Sequence, residues 1–179
     1  GNEKMRLIGL AGWSGAGKTT LLERVIPHLT ERGLRVSTLK HAHHKFDVDI
    51  PGKDSWKHRQ AGATEVLIAS ANRFALMHEL RGEPEPTLPE LLSLLSPVDL
   101  VIIEGFKSDP HPKIEVYRAE NGKPFLHVQD KAIVAVASDV PVETMLPVFH
   151  LDEIEKIADM MLAKAVPLSS LWVAAGDEA

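Results

Sequence analysis

The residues whose types and spacing bear most directly on chemistry lie near the start of the chain. Gly12-Trp13-Ser14-Gly15-Ala16-Gly17-Lys18-Thr19 is a full match to G-x-x-x-x-G-K-[ST]. Glycines at these positions let successive backbone N–H groups turn inward on phosphate oxygens, and a helix that starts at the lysine adds the positive end of its dipole. Lys18 is then the side chain that reaches the β and γ phosphates. Thr19 offers its hydroxyl to Mg²⁺, and Thr20 is a further polar contact. The expected ligand is a purine nucleoside triphosphate with magnesium.

Such a loop needs a carboxylate on a neighbouring strand to complete the magnesium shell. Asp99 opens, and Glu104 closes, the apolar run Val98-Asp99-Leu100-Val101-Ile102-Ile103. Five strand residues span about 17 Å, so the two cannot serve one site directly. Ligands gather at the carboxyl ends of parallel strands, which selects Glu104. Gly105 behind it allows close backbone approach to the γ phosphate. The polar segment His41 to Gly52 supplies Asp47 and Asp49 as further candidates for the magnesium shell, acting through water. Its histidines lack the partner set of a defined metal site, and an exposed polar loop accounts for them better. Lys53, Arg59 and Lys107 are candidate cations for a second phosphorylated ligand. Asp139, after Ser138 at the end of a buried strand, stands where a base-reading carboxylate belongs. No water-positioning glutamine or activating arginine is evident, so slow hydrolysis is expected.

These residues need a scaffold that delivers strand ends to one edge. Arg6 to Ala11 reads as a strand, Lys18 to about Arg32 as a helix containing Pro27, and Arg35 to Lys40 as a second strand. A short helix follows at about Asp54 to Ala61. Glu65 to Ala69 and Arg73 to His78 read as a hairpin or two adjacent strands, and Glu90 to Leu95 as a helix after a proline-rich connection. Lys113 to Arg118 alternates like a strand and is expected to pair through a turn at Glu120 to Lys123 with Phe125 to Val128. Ile133 to Ala137 is another buried strand. The last helix is expected from Asp152 to Lys164, with Leu151-Asp152 as the N-cap candidate. The alternation predicts an α/β chain, a three-layer P-loop NTPase fold with a mainly parallel sheet flanked by helices. The nucleotide-binding domain is expected over residues 5–164, with a C-terminal tail over 165–179.

Composition bounds the rest. The 179 residues are 44% hydrophobic and 25% charged, as in an ordinary globular domain. The absence of cysteine excludes disulfides and thiolate chemistry. A net charge of −5 argues against nucleic-acid binding. No run is long and apolar enough to span a membrane, and the first residues lack a signal layout, so a cytoplasmic protein is expected.

Five blocks taken in order carry a resemblance. The phosphate loop is followed by Leu39-Lys40-His41-Ala42-His43-His44, Pro51-Gly52-Lys53-Asp54-Ser55, Arg59-Gln60-Ala61-Gly62-Ala63 and Glu104-Gly105-Phe106-Lys107. Together they resemble the molybdopterin-guanine dinucleotide biosynthesis adaptor (MobB) family, from about Met5 to Lys164. The resemblance implies a dimeric GTP-binding adaptor with weak GTPase activity, assisting the guanylyltransferase that joins GMP to molybdopterin. The Asn-Lys-x-Asp guanine-reading motif of many GTPases is absent. Two other readings share the phosphate loop: a small-molecule kinase, with Arg73 and Arg81 as its only lid-like arginines, and a metallochaperone-type GTPase, suggested by the histidines. The last fifteen residues, Trp172 included, match no family pattern.

Overall fold

The computed structural model describes residues 4–42 and 53–172. Among these residues nine strands and four α-helices follow in chain order: β1 (Arg6–Ala11), α1 (Lys18–Glu31), β2 (Val36–Lys40), α2 (Asp54–Gln60), β3 (Glu65–Ala69), β4 (Phe74–His78), α3 (Leu88–Leu92), β5 (Leu100–Glu104), β6 (Lys113–Tyr117), β7 (Ile133–Ser138), β8 (Val148–His150), α4 (Ile154–Lys164) and β9 (Val166–Pro167). They fall into two compact units. One is built from the chain up to His41 and from Leu88 onward, and the other from Ala42 to Thr87.

The first unit holds a seven-stranded sheet in the order β2-β5-β1-β6-β7-β8, with β9 added antiparallel to the first residues of β1. Every other pairing in it is parallel. This is the mainly parallel, helix-flanked sheet of the P-loop NTPase fold. Strand β5 shows why its central members are continuous apolar runs. Leu100 and Ile102 enter a core with Leu21, Val25 and Leu29 of α1 and Ile157 and Met161 of α4, whereas Val101 and Ile103 enter a second core with Met5, Leu88 and Leu92. Period-two alternation sends successive side chains to opposite faces, so both faces must be apolar when both are covered.

The second unit contains α2 and the antiparallel pair β3–β4, which is the hairpin expected, with Glu65 opposite His78 and Ala69 opposite Phe74. Leu67, Phe74 and Leu76 on it are exposed.

Three expectations need correction. Phe125 to Val128 does not pair with β6, which is parallel to β1 on one side and β7 on the other. The reason is local: the buried Glu115 carboxylate accepts the N–H groups of Leu126 and His127 at 2.7 and 2.9 Å, which removes the donors a ladder needs. Helix α4 starts two residues late, with Glu153 at its N-cap, because Asp152 turns to Arg24 at 2.9 Å instead of capping. Helix α3 is shorter and earlier than the periodicity suggested. Strand β8 and the pairing of β9 with β1 went unanticipated; both strands are too short to carry a period. Leu168, Leu171 and Trp172, beyond β9, pack against the second core.

Candidate functional site

The parallel strands β2, β5, β1, β6 and β7 all end at one edge of the sheet, and the residues singled out above in this unit cluster there. Strand β1 runs into the glycine-rich turn, whose last glycine, Gly17, is the N-cap of α1 with φ 93°. No side chain caps this helix and its first turn holds no acidic residue. The first N–H groups of α1 therefore face outward without competition, as anion binding at a helix terminus requires. Trp13 and Ala16 close the turn through an N–H to carbonyl hydrogen bond of 3.0 Å. Thr19 and Thr20 are exposed just behind it.

Lys18 curls back over the loop and donates to the Gly12 carbonyl at 2.7 Å. Burial lowers its pKa; the Glu104 charge opposes that, while Lys107 and Lys40 add to it. Glu104 is thus electrostatically close to Lys18. Its own position is fixed by register, since it lies opposite Leu10 of β1 on one side and Lys40 of β2 on the other. Behind it Gly105 has φ 90°, and a Cβ there would lie 2.7 Å from Cβ of His41, so only glycine fits. Phe106, also at positive φ, stacks on the His41 ring at a centroid distance of 4.8 Å. The loop leaving β5 is held in a defined shape.

On the opposite flank, the segment after β6 lies against the phosphate loop at three points. Asn121 Nδ2 donates to the Ser14 carbonyl at 3.0 Å, and Trp13 Nε1 donates to the Pro124 carbonyl at 3.0 Å. The Arg118 guanidinium rests on Gly17, where an added Cβ would lie 2.7 Å from Nε. Lys107 and Lys123 Nζ sit 5.7 and 5.5 Å from the Trp13 ring centroid, one from each flanking segment. An acidic chain thus presents a local concentration of cations, Lys18, Lys40, Lys107, Lys123 and Arg118, around its phosphate loop. One strand further out, Asp139 follows β7, is half-buried, and accepts the Ala119 N–H at 2.9 Å.

Gly12 to Thr20, Glu104, Gly105, Lys107 and Asp139 are brought to one edge. Lys53 and Arg59 belong to the second unit, where Arg59 pairs with Glu79 at 2.7 Å and is mostly buried. Asp47 and Asp49 lie outside the described residues. Sequence reasoning missed Arg118, Asn121, Lys40 and Lys123. The end of a parallel strand is a usable signal for Arg118 and Lys40, but the alternation of β6 reads as half of a hairpin. Among the described residues no group of three or more His, Cys, Asp or Glu side chains is set to hold a metal ion, and no helix is long and apolar enough to cross a membrane.

The family model described as molybdopterin guanine dinucleotide synthesis protein B matches residues 7–139. The molybdopterin-guanine dinucleotide biosynthesis adapter protein of Escherichia coli is 42% identical over 165 residues, covering 90% of this chain and 94% of the relative. Its namesake from Haemophilus influenzae is 41% identical over 163 residues, covering 89% of each. A crystal structure of molybdopterin-guanine biosynthesis protein B superimposes with a TM-score of 0.71 at 34% identity, over 88% of this chain and 98% of the other. Bacillus subtilis MobB gives 0.68 at 27% identity, over 90% and 99%.

Proposed function

The chain belongs to the family of molybdopterin guanine dinucleotide synthesis protein B, and from that premise we propose that it is a GTP-binding adapter in molybdopterin-guanine dinucleotide biosynthesis. It holds GTP with Mg²⁺, turns it over slowly, and serves the guanylyltransferase that joins GMP to molybdopterin. It acts in the cytoplasm as a homodimer, for which the exposed apolar side chains of β3–β4 are a suitable surface. The observation that carries the nucleotide reading is the uncapped helix behind an intact phosphate loop, with a carboxylate at the end of the adjacent strand.

The residues suit magnesium as phosphate-loop proteins hold it. At the junction of β1 and β5 the described residues offer the Glu104 carboxylate and the exposed hydroxyls of Thr19 and Thr20, not a protein cage. That donor set matches a small, hard cation that shares its ligands with phosphates and water. Bound there, the ion neutralises charge on the β and γ phosphates. Lys18 supplies a second positive charge, and burial, which makes its charge costly when unpaired, favours an anionic partner. Asp139 reads the guanine edge from the end of β7. Its engagement with the Ala119 N–H fixes the carboxylate's direction. No glutamine or arginine is needed for binding, and slow turnover suits a protein whose product is a complex.

Calorimetric titration with GTP and with ATP, each with and without Mg²⁺, tests this reading. A Mg²⁺-dependent preference for GTP is expected, and Lys18→Ala is expected to abolish binding while the melting temperature holds. Retained affinity in Lys18→Ala defeats the mechanism. A preference for ATP turns the reading to a small-molecule kinase.

A further inference from the structure

The carboxyl edge of the sheet lays out the site strand by strand. Glu104 ends β5 and Thr19 follows the loop of β1, so the metal and the terminal phosphates lie on the β5 side of that loop. Strands β5 and β6 flank β1 from opposite sides. The nucleoside must therefore extend toward β6 and β7. From β5 to β7 is three strand spacings, about 14 Å, which is comparable to the length of an extended nucleoside triphosphate. Arg118, the first residue after β6, stands between the loop and Asp139.

This arginine is half-buried and lies against Gly17, and although its backbone carbonyl accepts the Asn121 N–H at 3.1 Å, its guanidinium makes no hydrogen bond or ion pair with any described residue. Five N–H donors in a planar fork, held at the rim of an anion-binding turn without an acceptor, call for an anionic oxygen. Its backbone is held by β6 before it, where Tyr117 pairs with Ser138 of β7, and by two contacts after it. Asp139 takes the N–H of Ala119, and Asn121, three residues on, donates to Ser14 of the loop. The surrounding charges agree with the assignment. Asp152 senses the Arg118 charge without pairing with it, being already bonded to Arg24 at 2.9 Å. Among the described residues no carboxylate pairs with the guanidinium.

We propose that Arg118 is a nucleotide-binding residue that grips the phosphate nearest the nucleoside, the α-phosphate, from the side of the loop opposite Glu104. This rests on the nucleotide reading above. It assigns the arginine to binding, not to activation at the γ phosphate, and so agrees with slow turnover. It also gives the segment 118–124 a purpose, since its contacts with Ser14 and Trp13 hold the arginine at the rim.

The test compares wild type with Arg118→Gln and Arg118→Lys by calorimetry with GTP and with GDP in Mg²⁺, with thermal melts to verify folding. Arg118→Gln is expected to weaken both nucleotides equally, by roughly 10- to 100-fold, as for loss of a charge-assisted hydrogen bond. Arg118→Lys retains the charge without the fork and is expected to fall between. In phosphorus NMR of the GDP complex, the α-phosphate resonance is expected to shift in Arg118→Gln while that of the β-phosphate stays. Wild type that binds GTP beside an Arg118→Gln protein of unchanged affinity overturns the proposal and leaves the nucleotide reading standing. Loss confined to GTP moves the contact to the γ phosphate and overturns the assigned side. Wild type that binds no nucleotide overturns both.

Discussion

The two strands that flank β1 differ in where they keep their charges. Strand β5 is Leu-Val-Ile-Ile-Glu, and its four apolar residues are buried, leaving the single carboxylate at the carboxyl edge of the sheet. Strand β6 is Lys-Ile-Glu-Val-Tyr, and its two charged residues are as buried as its apolar ones, Lys113 at 2% exposure and Glu115 at 1%. Burying a charge costs several kcal/mol unless hydrogen bonds replace its water. Lys113 finds the carbonyls of Asp109 and His111 at 2.7 and 3.1 Å. Glu115 finds two backbone N–H groups and His127 Nδ1, the last at 2.9 Å. Strand β5 thus sets its one carboxylate at the edge where the phosphate loop lies, whereas β6 fixes the segment that reaches that loop. The contacts across the loop follow the same division, electrostatic toward Glu104 and close-packed toward β6.

The sharpest way to break that comparison is Glu115→Ala. It strands the N–H groups of Leu126 and His127 in a buried site and frees the segment that carries Asn121 and Pro124. A loss of about 3 kcal/mol is expected in urea denaturation, together with faster amide exchange at residues 126 and 127. A loss below about 1 kcal/mol, with exchange unchanged, means that Tyr117, stacked on Phe125 at 4.1 Å, suffices to hold the segment.

Gly12→Ala probes the close-packed flank. An alanine Cβ there would lie 2.8 Å from the Val116 carbonyl oxygen, a backbone atom of β6 that cannot swing aside. Such overpacking costs about 1–3 kcal/mol. The loop must move off β6, so the variant is expected to melt lower and to lose nucleotide affinity together. A variant that melts lower but binds GTP as wild type does shows that the loop keeps its shape without that contact.

The same comparison accounts for what was legible in the residues. Strands β1, β5 and β7 stand out because an apolar run marks a strand covered on both faces. The phosphate loop stands out because its chemistry is contiguous, from Gly12 through Thr19. Strand β6 was misassigned to a hairpin because Lys113-Ile114-Glu115-Val116 alternates as a half-exposed strand does. Alternation reports polarity, and it cannot distinguish a charge facing water from one satisfied by buried carbonyls. That single ambiguity hid the position of Arg118 beside the phosphate loop. Asn121 and the Pro124 carbonyl could not be read at all, since their role depends on a crossover more than a hundred residues from the loop. The position of Glu104 is legible because a strand's last residue is a geometric position that an apolar run defines.

The smallest effect concerns His111, which precedes β6 and completes its buried polar face. Its ring is fully buried over Gly9, and neither nitrogen has a hydrogen-bond partner among the described residues. Burial, with the Lys113 charge adding to it and Asp130 opposing, holds its pKa at about 4 against an ordinary 6.5. The folded-state value is depressed, so as pH falls the unfolded chain takes up the proton first. Stability from this group is complete above pH 6.5 and is lost progressively down to about pH 4. His111→Phe keeps a flat ring of similar size and removes both the unsatisfied nitrogens and the titration. The variant is expected to match or exceed wild type by up to about 1 kcal/mol at pH 7. Its advantage is expected to widen between pH 6.5 and pH 4 when both are unfolded in urea across that range. A stability difference that stays constant with pH shows that the folded protein accepts a charged imidazole beside Lys113, and that the polar face of β6 is wetter than its burial indicates.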